Sequence, residues 1–80
     1  MRHETRLSFD YESAERARRV ERSIRPEIDD IADDRSRTRL QRSGETLEVV
    51  VGAADLVALR AGLNTWLSLV SAAERAGGAC

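Results

Sequence analysis

The segment from Thr46 to Arg75 constrains the chain most. A short apolar run, TLEVVVG, feeds directly into DLVALRAGLNTWLSLVSAAER, the one long and strongly periodic stretch. Stepped at about 100° per residue, the second part divides into three sectors of a helix. Leu56, Leu59, Leu63, Trp66, Leu67 and Val70 share a broad stripe of large apolar residues. Arg60, Asn64, Ser68, Ser71 and Arg75 form a polar strip beside it, interrupted by Val57. Ala58, Ala61, Gly62, Thr65, Leu69 and Ala72 fill the third sector. The large residues are expected to lie on a sheet. The small ones would admit a second helix at close range, as ridges settling into shallow grooves do. A helix wet on that third side would carry charge there, and this one carries none. The pattern predicts a helix dry on two sides, with more apolar surface than one small core needs.

A domain of 80 residues buries only about 60% of its unfolded surface, so it is marginal alone. Residues 1–76 read as one such domain, with 77–80 as a flexible tail ending in Cys80. Hydrophobic residues at 41% and charged residues at 34% fit a soluble globular chain. The 13 basic residues are all arginine and the formal net charge is −1. That balance argues against holding nucleic acid by bulk charge and leaves room for local basic patches. A single cysteine excludes a disulfide framework within the chain and makes a reducing cytoplasm the expected setting. No apolar run of about 18 residues and no basic-then-apolar leader stands out, so neither a membrane span nor a secretion signal is expected.

From His3 to Tyr11 the chain alternates, placing Leu7, Phe9 and Tyr11 on one face and Glu4, Arg6 and Ser8 on the other, as a half-buried strand does. Ser13 is the best N-cap for the helix that follows. Its apolar stripe is only Ala14, Ala17, Val20 and Ile24, and Glu15 with Arg19 forms an i,i+4 pair. Pro26 is expected to end this helix by displacing the residue before it from helical backbone. Glu27 to Asp34 reads as an acidic loop anchored by Ile28 and Ile31. Ser36 to Arg42 alternates again. Ser43-Gly44 then suggests a two-residue hairpin turn that would set Leu40 opposite Leu47 and Arg39 opposite Glu48. Asp55 is expected in the first turn of the long helix, where its charge offsets the dipole.

The element order is therefore β-α-β-β-α, an α+β fold. Inserting the third strand between the first two makes every neighbour antiparallel, in sheet order 1-3-2, with two helices on one face. The open face collects Arg6, Arg37 and Arg39 with Glu4 and Glu48. Both sheet edges stay free, which calls for charge protection or pairing with a second chain.

No catalytic apparatus is visible. Asp29-Asp30 and Asp33-Asp34 are spaced like the magnesium-binding aspartates of prenyl-transfer enzymes, but a chain this short cannot build their deep helical cavity; a solvated loop is expected. His3 is the only histidine and has no second ligand in sequence, so no metal site and no cofactor are expected. Arg6, Arg37 and Arg39 are candidate RNA contacts, against which stands cross-strand ion pairing with Glu4 and Glu48. The face lacks aromatic platforms for stacked bases. Arg60 and Asn64 share a helical face, either as polar partner contacts or as an ordinary surface pair.

SIRPE at the end of the first helix, the RSRTRL strand and ADLVALRAGLNTWL in the last helix together resemble the small, Pcc-type subunit of the archaeal and eukaryotic KEOPS complex. The likeness covers most of the chain and is most specific in the spacing of Asp55, Leu59-Arg60-Ala61, Leu63-Asn64 and Leu67. Gly62 and Trp66 depart from the family's usual small non-glycine residue and tyrosine or phenylalanine. The resemblance implies a non-catalytic subunit that forms a homodimer and docks by its helices on the catalytic ATP-binding subunit. It also implies contact with tRNA through a complex that makes threonylcarbamoyladenosine beside the anticodon. Ala17, Val20, Ala58, Ala61, Gly62, Thr65 and Leu69 are the expected helix–helix contacts, to a partner or, for some of them, between the two helices of this chain. A stand-alone RNA-binding module of similar layout is the alternative.

Overall fold

The structure, a computed structural model, describes residues 2–28 and 35–78. Strand β1 (His3–Asp10) leads to helix α1 (Ala14–Ile24), the hairpin strands β2 (Ser36–Ser43) and β3 (Thr46–Ala53), and the long helix α2 (Leu56–Gly78). The three strands form one antiparallel sheet in the order β1-β3-β2. The most apolar strand is thus central. Leu47, Val49 and Val51 on its inner face are fully buried, because helices cover that side and a neighbour strand flanks each edge. The expected aspartate pairs, Asp29-Asp30 and Asp33-Asp34, and Ile31 lie outside the described residues. Glu27 and Ile28, expected in a loop, are helical, and Ile28 packs against the core.

The hairpin turn sits one residue later than expected. Gly44 and Glu45 form the loop, Ser43 pairs with Thr46, Leu40 with Val49 and Arg39 with Val50. Gly44 has φ 60° and no other described residue but glycine takes a positive φ, the pattern of a turn with glycine first. Putting Gly44 first confines the left-handed backbone to the residue that tolerates it. The pairing slips by two residues, so every side chain keeps its expected face.

Ser13 caps α1 as expected, its hydroxyl accepting from the Arg16 amide at 3.1 Å. At the other end Arg25 keeps helical backbone, φ −57° and ψ −42°, although Pro26 follows. The expectation that proline displaces its predecessor fails here. Pro26 ends the helix because it has no N–H to offer the next carbonyl. Ala17, Val20 and Ile24 are at most 1% exposed: α1 spends three of the four residues of its narrow stripe on the chain's own core, with Ala14 half-buried at its start.

Helix α2 is rolled on the sheet relative to the sequence reading. Gly62, Trp66, Val70 and Ala73 are buried, whereas Leu56 and Leu67, expected against the sheet, are 61% and 46% exposed. The rotation is roughly 60° on the helical wheel. Gly62 explains it. A Cβ there would lie 3.0 Å from Val51 Cγ1, so only glycine lets the helix come this close to the central strand. Close approach at Gly62 carries Trp66, one turn on, fully into the core, with its indole N–H unpartnered among the described residues.

Two long-range polar links tie the helices down. The Tyr11 hydroxyl donates to Glu74 Oε2 at 2.7 Å, and the Arg16 guanidinium lies 6.0 Å from the Tyr11 ring centre. Glu21, with a side chain only 16% exposed, accepts from Arg42 Nε on β2 at 2.9 Å and also pairs with Arg25.

Candidate functional site

The start of α2 is built by a cap. Asp55 was expected inside the first turn but is the N-cap itself: its Oδ1 accepts from the Ala58 amide at 2.8 Å and its carbonyl from the Leu59 amide at 3.0 Å. The Ala58 amide first, then the guanidinium of Arg35, hold the Asp55 carboxyl below the usual carboxylate range. The Ala54 amide in turn donates to the Arg35 carbonyl at 2.8 Å, so the beginning of β2 and the beginning of α2 are fastened together. Between them runs an open groove of about 300 Å³, lined by Arg35, Ser36, Val57, Ala58, Ala61, Gly62 and Thr65.

Four of the seven expected helix-face contacts, Ala58, Ala61, Gly62 and Thr65, thus line one groove. Their accessibility differs. Ala61 and Thr65 are exposed, Ala58 and Leu69 are half-buried, and Gly62 is on the floor. The Thr65 hydroxyl donates back to the Ala61 carbonyl at 2.9 Å, which satisfies it locally and leaves a methyl group as what a partner would meet. Ala17 and Val20 are the correction. Being 0% and 1% exposed, they belong to the interior beneath α2 and offer no surface.

Around the groove, α2 keeps uncovered apolar surface. Val57 is 73% exposed with Leu56 next to it, Leu67 is exposed three turns further on, and Arg60 and Asn64 are exposed between them with no hydrogen bond joining them among the described residues. Leu56, Val57 and the exposed groove residues Ala61 and Thr65 share the first three turns of the helix, and grouped exposed apolar residues mark interaction sites more reliably than single ones do. The sequence placed Leu56 and Leu67 inside and so missed them as surface. The only signal was Gly62, whose lack of a side chain sets the roll. By length and a mean hydropathy of 1.3, the stretch Leu56–Ala76 could also cross a bilayer. Here it is laid along its own sheet.

The opposite face of the sheet is charged, and most of its charge is paired. Val50, in the middle, is 5% exposed, flanked across the strands by Arg6 and Arg39. Arg6 pairs with Glu48 at 3.5 Å and Arg39 with Glu4 at 3.8 Å. The structure therefore brings two of the three candidate RNA contacts together, but as ion pairs covering Val50. Exposed pairs of this kind are worth little individually. Arg37 has no carboxylate partner among the described residues and flanks a shallow hollow with Glu4, Arg39 and Gly52. Among the described residues, no three His, Cys, Asp or Glu side chains gather in a metal-binding group.

The sequence model of the family described as transcription factor Pcc1 matches residues 4–76. The chain belongs to the Pcc1 family. That is the KEOPS subunit family, which places the chain in tRNA processing as a KEOPS-type small subunit associated with other subunits of that complex. No curated protein gives a match to the chain. The match takes in all but the first residue of β1 and the last two of α2, and so includes the groove and the exposed side of α2.

Proposed function

We propose that this Pcc1-family chain is a non-catalytic, cytoplasmic scaffold subunit. It forms a homodimer and docks the exposed side of α2 on the catalytic ATP-binding subunit of KEOPS, the complex that makes threonylcarbamoyladenosine next to the tRNA anticodon. One observation carries the docking part. The long helix leaves Val57, Leu56 and Leu67 uncovered beside a groove floored by Gly62, although its other side already fills the core. A monomer of this size gains nothing from displaying that surface, whereas a helix–helix contact would bury it. The homodimer reading rests on family membership and on the edge strands β1 and β2, whose outer backbone groups can pair with a second sheet. The pairing of Arg6 and Arg39 with carboxylates counts against the stand-alone RNA-binding module.

Equilibrium sedimentation of the purified chain, followed by titration with the purified catalytic subunit, tests both parts. A dimer that binds the catalytic subunit is expected. A monomer over the whole concentration range removes the homodimer, and absence of binding removes the docking role.

A further inference from the structure

We draw no further inference here: the strongest candidate, the hollow of about 420 Å³ along the β2 edge lined by Arg6, Arg25, Ile28, Arg39 and Leu40, carries nothing, because its three arginines are already paired with Glu48, Glu21 and Glu4 and nothing in the structure shows what covers that edge.

Discussion

Replacing Gly62 by alanine sets two effects of similar size against each other, and the contact with Val51 decides between them. In a helix interior alanine is favoured over glycine by about 0.8–1 kcal/mol, largely through the unfolded chain. Against that, the new Cβ would lie 3.0 Å from Val51 Cγ1, where carbon atoms normally rest about 3.5–4.0 Å apart. Val51 cannot easily give way: it is fully buried on the central strand between Thr5 and Thr38, and its branched side chain has few rotamers. Overpacking of this kind costs about 1–3 kcal/mol, so Gly62→Ala is expected to destabilise by about 1 kcal/mol, or roughly 4–8 °C in Tm. The same substitution made in a Val51→Ala background meets no obstruction and is expected to stabilise by nearly the full propensity difference. Urea unfolding followed by fluorescence suits the measurement, because Trp66 is the only tryptophan and is fully buried. The double-mutant cycle should give a coupling of about 1–3 kcal/mol between the two positions. Gly62→Ala stabilising equally in both backgrounds would refute the close approach, and with it the roll of the helix that exposes Leu56 and Leu67.

The remaining predictions concern the polar links and the sheet face. Tyr11 is the only tyrosine, and burial, the hydrogen bond to Glu74 and that carboxylate's charge all push its ionisation above the ordinary range. Phenolate absorbance should therefore not rise near pH ~10 while the chain is folded. Because the folded pKa is raised, this contribution to stability is present below the ordinary tyrosine value and lost as pH climbs; a normal titration curve in the folded chain would contradict the link. Tyr11→Phe should cost about 1–2 kcal/mol at neutral pH, read by urea midpoint. Glu21 shows the opposite sign. Its burial works to raise the pKa, but hydrogen bonds and charge from Arg25 and Arg42 outweigh it and leave the carboxyl below its usual value. That stabilisation is present above about pH 4.3 and disappears as pH falls through the folded pKa. Glu21→Gln should thus be destabilised by about 1–2 kcal/mol at pH ~7 and match wild type in acid. Arg39→Ala should change stability by less than about 0.5 kcal/mol, since its pair with Glu4 is exposed and long.

Strand order, helix placement and the capping of α1 were legible because each rests on a local pattern: alternation for the strands, Ser13 before an apolar stripe, a glycine between two alternating runs. The hairpin slip did no harm to the face assignment. A shift of two residues preserves parity, so Arg6, Arg39 and Val50 still share the open face. What the pattern hid was depth. A helical wheel ranks residues by size and hydrophobicity, yet the axis of α2 settles where the smallest residue allows contact, and that residue is Gly62. Leu56 and Leu67, together at one edge of the expected stripe, were turned outward in consequence. Ala17 and Val20 are interior for a related reason: α1 has so few apolar residues that the chain's own core takes all but Ala14. The ties from Tyr11 to Glu74 and from Glu21 to Arg42 span 63 and 21 residues, and no local spacing rule reaches across such separations.

The docking face of α2 is tested most directly by placing a charge in it and another outside it. Ala61 is exposed at the groove, Arg39 on the opposite side of the sheet. Affinity for the purified catalytic subunit should fall at least ~30-fold, about 2 kcal/mol, for Ala61→Glu, because an unpaired carboxylate would be buried in the contact. Arg39→Glu should bind as wild type does. Equal binding by wild type and Ala61→Glu, or loss of binding in Arg39→Glu alone, would contradict the assignment of the uncovered helix as the surface that meets the partner.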